Sequence, residues 1–348
     1  MRRLALTTNR KIEYCTVSPK DRDKCNHVLH QNDNETKDEF AKRVGEYLLK
    51  QVPNSKEDKI LNLSNSQKLK MIDNRENLDI LINDEDDKIR VAVANKKYGL
   101  DKLIDDESWE VRRAVAKQGY GLDKLVKDED LDVRCAVAKQ GYGLDELIND
   151  ESWVVRAAVA RQKYKLEILI KDKNGAVRAA VAEQGYGLNR LVNDGYYLVR
   201  EAVAEQGYGL SKLINDKEAS VRISVARQGY GLDKLVDDKN YFVRATVAEK
   251  GYGLDKLIND KDPIVRAAVA EQGYGLDKLV DDESPFVRVK VAKQGYGLDK
   301  LIKDKYFEVR VAVAKQGYGL DRLSNDICIF VREAVENYRL EQRGKKEK

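Results

Sequence analysis

Arg90, Arg112, Arg134, Arg156, Arg178, Arg200, Arg222, Arg244, Arg266, Arg288, Arg310 and Arg332 follow one another at intervals of 22 residues, without one insertion or deletion. That interval constrains the fold more than any other feature of the chain. A 22-residue unit carries about five aliphatic side chains, which contribute roughly 7–15 kcal/mol when buried. Ordering the same unit costs on the order of 30 kcal/mol. A lone unit cannot fold, so neighbours must cover its apolar face. An invariant interval means that each unit is covered in the same way, as in a stack of tandem repeats. A chain of 348 residues would ordinarily suggest two or three domains, but repeats sharing one stack count as a single elongated one.

One unit, Asp106–Lys127, shows the elements. Asp106 is placed to cap a helix that starts at Glu107. Val111, Ala114, Val115 and Gln118 fall at i, i+3, i+4 and i+7, which gathers one side of an α-helix toward a core. Gly119 supplies the left-handed residue that ends a helix at little cost. The segment "GYGLDKLV" then continues as a tight turn and a second short helix, with Leu122, Leu125 and Val126 inward. In "RQKYKLEILI", Lys163 and Lys165 occupy the two glycine positions, at roughly 1 kcal/mol each if the backbone stays left-handed.

The pattern "L..L..D....VR..VA" resembles the leucine-rich repeat variant, and its "D....VR" core is similar to HEAT repeats. The resemblance covers residues 77–340. It implies an all-α fold, a right-handed α-solenoid of about eleven to twelve two-helix repeats whose usual trade is binding macromolecules. Residues 1–76 do not repeat and are expected to form a small mixed N-terminal domain, with residues 341–348 as a basic tail. Repeat-variant proteins can carry an iron–sulfur cluster on a cysteine-rich N-terminal segment. Here Cys15 and Cys25 are too few for a four-thiolate site, so that cofactor is not carried over.

Charge argues against an array built to neutralise phosphates. Residues 77–336 hold 43 lysines and arginines against 46 aspartates and glutamates, whereas nucleic-acid grips show a basic excess. Each repeated arginine follows an aspartate by six residues, as in Asp106/Arg112, Asp194/Arg200 and Asp238/Arg244. These pairs are read as a structural ladder that ties each helix start to its neighbour, rather than as a stripe for phosphate. Eleven of the eighteen tyrosines recur with the period, Tyr98 to Tyr318, and are read as turn packing.

Positions that vary on a fixed scaffold are where repeat proteins present ligand contacts. Around each arginine the variable columns supply Trp109, Arg113, Trp153, Tyr197, Tyr241, Phe242, Phe286, Phe307 and Phe330 as candidate partner-binding residues. Positions 110, 113 and 117 and their equivalents share one helix face. The 117 column runs in blocks of sign, basic at Lys117, Lys139 and Arg161, acidic at Glu183 and Glu205, basic at Arg227, acidic at Glu249 and Glu271, basic at Lys293 and Lys315. Aromatics at Trp109, Trp153, Tyr197 and Tyr241 lie two repeats apart, roughly 18–20 Å at ordinary helix spacing, too far for stacking successive bases. A protein partner fits better, with nucleic acid as the alternative.

The only two histidines, His27 and His30, stand with Cys15 and Cys25 within 16 residues. Four such ligands fit a closed Cys2His2 zinc site, although their spacing departs from the common finger signature. Two core thiols and two polar histidines on a turn are the other reading. No nucleophile, phosphate loop or paired-carboxylate constellation stands out, so a non-enzymatic protein is expected. With no run of 18 apolar residues and too few cysteines for a disulfide framework, the cytoplasm is the expected compartment and no membrane partner is foreseen.

Overall fold

The computed structural model describes residues 4–7, 11–14, 28–30, 36, 39 and 56–346, and the chain divides into two compact units, residues 1–125 and 126–348. Each is described by itself.

In the first unit, strands Leu4–Thr7, Lys11–Tyr14 and Val28–His30 form an antiparallel sheet in chain order, with Ile12 opposite Leu6 and Leu29. The alternation in "KIEY" marks its middle strand. Thr36 caps a helix start through a reciprocal box. Its N–H donates to Glu39 Oε2 at 2.9 Å and its Oγ1 accepts from the Glu39 N–H at 3.3 Å.

The repeats begin before residue 77, where the sequence boundary was set. Helices Lys56–Leu61 and Asn65–Asp73 stand one 22-residue step ahead of Leu78–Leu81 and Asp87–Asn95 and pack against them. The wording hides this unit because Lys68 replaces the arginine, Asn62 the aspartate, and Arg75 and Asn77 the glycines. The chemistry survives the substitution, since Lys68 Nζ pairs with the buried Asp84 carboxylate at 2.6 Å.

The second unit is a helical solenoid. Nine-residue helices such as Trp153–Arg161, Gly175–Glu183, Tyr197–Glu205 and Ala219–Arg227 alternate with four-residue helices such as Leu188–Leu191 and Leu210–Leu213. From Trp153–Arg161 to Phe307–Lys315, each long helix packs on the long helix before it and the one after it. Val199, Val203 and Ala204 are fully buried, and Leu213 and Ile214 close the same layer. Gln118 and Leu122, counted toward the core from sequence, are only half-buried.

Helix starts fall two residues later than expected, as in Trp109–Lys117, with Ser108 rather than Asp106 at the cap. The aspartate instead holds the cap residue in place, as Asp260 Oδ1 accepts from the Asp262 N–H at 2.9 Å. Asp262 then accepts from the Ile264 N–H at 2.9 Å. Two successive side-chain acceptors thus serve the starts capped by Asp130, Ser152, Asn174, Asn240 and Asp262, whereas at Tyr196, Glu218, Ser284 and Tyr306 the cap side chain accepts no such bond.

The two glycines of a turn have different reasons. Gly273 sits at φ +71° in open space, so only its backbone demands glycine. Gly275 sits at φ +60°, and a Cβ there would lie 2.2 Å from Ile258 Cδ1 of the preceding unit. Lys163 and Lys165 keep the left-handed backbone at φ 59° and 42°. The ladder contact that spans this turn is unchanged, with Arg156 Nε 2.6 Å from Asp172 Oδ2. The strain is therefore carried locally. Lys163 is exposed, so Lys163→Gly is expected to stabilise the protein by about 1 kcal/mol. A denaturant midpoint at or below that of the parent would show that no strain resides there.

Candidate partner-binding surface

The site is defined by what fixes the two ends of each long helix. At the N-terminal end, Arg200 Nε and Nη2 donate to Asp216 Oδ2 and Oδ1 at 2.6 and 2.8 Å. Its Nη1 donates to the backbone carbonyls of Asp194 and Gly195 at 2.8 and 3.2 Å. The guanidinium thus bridges its own helix start and the aspartate 16 residues on, in the next unit. The same fork joins Arg178 to Asp194, Arg222 to Asp238, Arg244 to Asp260 and Arg288 to Asp304. In the first unit it joins Arg90 to Asp106.

The ladder is therefore real but pairs differently from the six-residue spacing. Within Asp106/Arg112, Asp194/Arg200 and Asp238/Arg244 the arginine meets only the aspartate's carbonyl, at 2.9, 2.8 and 2.8 Å. The carboxylates of Asp106, Asp194 and Asp238 belong to the preceding arginine. Both partners are nearly buried, with 10% and 7% of the Arg200 and Asp216 side chains exposed. Burial pushes the Asp216 carboxyl up, but hydrogen bonds from Arg200 and the Glu218 N–H prevail, and it titrates below the ordinary carboxylate range. The bond to Asp216 holds the Arg200 guanidinium above its ordinary value.

At the C-terminal end the repeated glutamine makes a second stitch. Gln206, Gln228 and Gln294 Nε2 donate to the carbonyls of Glu183, Glu205 and Glu271 at 3.2, 2.9 and 3.0 Å, each at the end of the preceding long helix. These are carbonyls that a helix leaves without an internal partner. Sequence reasoning missed this role, although a glutamine recurring at the helix end was the signal.

Between the stitches, the outward strip of each helix is narrower than the sequence suggested. In the 113 column, Cys135, Ala157, Ala179, Ala245 and Ala267 are buried where adjacent helices meet. Burial pushes the Cys135 thiol up. In the first unit the Arg113 guanidinium lies 4.7 Å over the half-buried Trp109 ring. What faces outward in the second unit is two rows, seven residues or about 10 Å apart along each helix. The first runs from Asp132 through Val154, Ala176, Leu198, Ser220, Phe242, Ile264, Phe286 and Glu308 to Phe330, with Phe242, Phe286, Glu308 and Phe330 exposed and the others half-buried. The second is the row of alternating charge from Lys139 to Lys315.

Large apolar groups stay exposed in and beside the first row, with Phe242 at 48%, Phe286 at 47%, Trp153 at 47% and Phe330 at 57%. Tyr197 and Phe307 are exposed to a lesser degree and Tyr241 is half-buried. These rings touch one another: Tyr241 and Phe242 at 4.2 Å, Phe307 and Phe330 at 5.7 Å between centroids. Gly175 leaves space that the Tyr196 ring fills, since a Cβ there would fall 2.2 Å from Tyr196 Cδ1. Three charges of the second row are partly spent on neighbours, as Arg161 pairs with Glu183 in the row itself and Glu271 with Lys290.

Of the zinc candidates, Cys15, Cys25 and His27 lie outside the described residues. His30 closes the third strand, and its side chain also lies outside them. Among the described residues no helix is long and apolar enough to cross a membrane. No family model matches the chain, and no curated protein matches it either.

Proposed function

We propose that this chain is a non-enzymatic recognition scaffold of the leucine-rich-repeat-variant or HEAT-like kind, and that it binds a protein partner through the two outward rows. The observation that carries this reading is the division of labour within each repeat. From Leu131–Lys139 to Phe307–Lys315 the start of every long helix is tied to the next unit by the same arginine–aspartate fork, and a glutamine ties several of the ends to the helix before, while the strip between them varies and keeps phenylalanine and tryptophan in water. Exposed aromatics grouped in a row and bordered by charge are the ordinary composition of a protein interface. The sign blocks of the second row supply register against a partner of complementary charge.

The nucleic-acid alternative draws no support from the arginine column. Arg134 to Arg310 spend their forks on aspartates, and the exposed charge row alternates in sign rather than forming a basic stripe. Free thiols such as Cys135 and Cys328 suit a reducing cytoplasm. Affinity capture from lysate by the full chain, with and without nuclease, tests the reading. A protein retained after nuclease treatment is expected. Loss of all captured material with nuclease would put nucleic acid in its place.

A further inference from the structure

Each arginine from Arg134 to Arg310 grips the aspartate of the next unit, and Arg332 is oriented in the same way. Its Nη1 donates to the carbonyls of Asp326 and Ile327 at 2.6 and 3.1 Å, as its equivalents do in their own units. Among the described residues no carboxylate meets its Nε and Nη2, and its side chain is exposed. The cause lies in the helix. The other long helices of the second unit stop after nine residues and turn back, whereas Ile329–Lys346 runs on for 18. At about 1.5 Å per residue its last turn lies roughly 20 Å beyond Arg332, so this helix runs past the place instead of turning back over it.

What remains is a cavity of about 380 Å³ lined by Arg332, Arg339 and Arg343, by one acid, Glu336, and by Val335 and Leu340. Arg339 already pairs with Asp321 at 2.8 Å, so the open fork is that of Arg332. Nearby, Ile327 is 93% exposed and Ile329 53%.

We propose that this end of the solenoid is a binding site for an acidic segment of a separate polypeptide, an aspartate or glutamate on a short leucine-bearing helical turn, seated as a further repeat would be. The molecule displays the chemistry of that ligand in its own interior. At the preceding rung, Asp326 accepts two N–H groups from Arg310 at 2.7 and 2.8 Å and one from the Cys328 backbone at 2.9 Å. Leu323, from the short helix that leads into it, is buried. A planar guanidinium with two parallel donors selects a carboxylate of this geometry. The net positive charge of the cavity favours an acidic segment over a basic one. This site is separate from the two outward rows and does not depend on what they bind.

The test uses the full chain and a labelled peptide copying residues 144–161, an acidic segment that contains the short helix, Asp150 and the following long helix. Fluorescence anisotropy at low salt is expected to show saturable binding. An Asp150→Asn peptide should bind at least tenfold more weakly, and so should the parent peptide to an Arg332→Gln chain. Combining the two changes should weaken binding no further, because they remove one shared contact. The Arg332→Gln chain should melt as the parent does. Equal binding of the Asn peptide would overturn the proposal, and so would no binding of either peptide up to about 1 mM. An early-melting Arg332→Gln chain would assign the arginine to holding its own helix, and would overturn it as well.

Discussion

Arg200→Ala is expected to lower the stability of the full chain by about 3–5 kcal/mol, the range found when one partner of a buried ion pair is removed. The structure shows where the loss arises. Without the guanidinium, the Asp216 carboxylate loses two of its donors, and the carbonyls of Asp194 and Gly195 lose the group that satisfied them. The Asp216 side chain is 7% exposed, so water replaces those bonds poorly. Asp216→Ala should cost a similar amount. The double variant should cost less than the two together, because the second change removes a group already stranded. An exposed pair provides the contrast. Lys256 and Asp237 are about as close in space, yet 55% and 64% of their side chains are exposed, and Lys256→Ala should change stability by less than about 1 kcal/mol. Chemical denaturation of these variants measures the difference. Equal small effects at Arg200 and Lys256 would show that the rungs do not hold the repeats together.

Acid is expected to open the same ladder at many places at once. Asp172, Asp194, Asp216, Asp238, Asp260 and Asp304 all titrate below the ordinary carboxylate range, because hydrogen bonds from an arginine and a backbone N–H outweigh the upward push of burial. Asp326 is held low chiefly by Arg310 itself. A carboxylate whose folded value is depressed stabilises the fold above its unfolded value, about 3.9, and that stability is lost as pH falls through the folded value. The arginines move the other way, and their raised values matter only above about pH 12. Stability should therefore change little through this ladder between about pH 7 and 5 and fall steeply below about pH 4, with net proton uptake on unfolding. Melting followed by circular dichroism from neutral pH down to acid checks this. Melting that stayed level into strong acid would mean that the carboxylates are not held ionised by their arginines.

The period told that the repeats stack, because no 22-residue unit can bury its own face and no insertion interrupts the count, and the i, i+3, i+4, i+7 apolar spacing within a unit told that the stacked elements are helices. The partner of each arginine was not legible in that way. Six residues separate Asp194 from Arg200 and sixteen separate Arg200 from Asp216. Only packing decides that the shorter spacing reaches a carbonyl and the longer one a carboxylate. The early repeat at residues 56–76 escaped notice because its identities changed while its chemistry did not, lysine standing for arginine at Lys68. The candidate surface was half legible. Variable columns marked the outward side, but a helix position that varies among Cys135, Ala157 and Ala179 varies only among small buried residues. Composition at that column, all small where buried, was the available sign. Phe242 and Phe286 kept their place on the surface as the sequence proposed.

The central claim is that the outward rows, not the rungs, recognise a partner. Its most direct test is nuclease-treated capture by the parent chain and by a Phe242→Ser, Phe286→Ser variant. Both rings are about half exposed, so the variant should melt close to the parent. The account predicts that the variant loses most of the captured protein while remaining folded. Undiminished capture by a folded variant would contradict it.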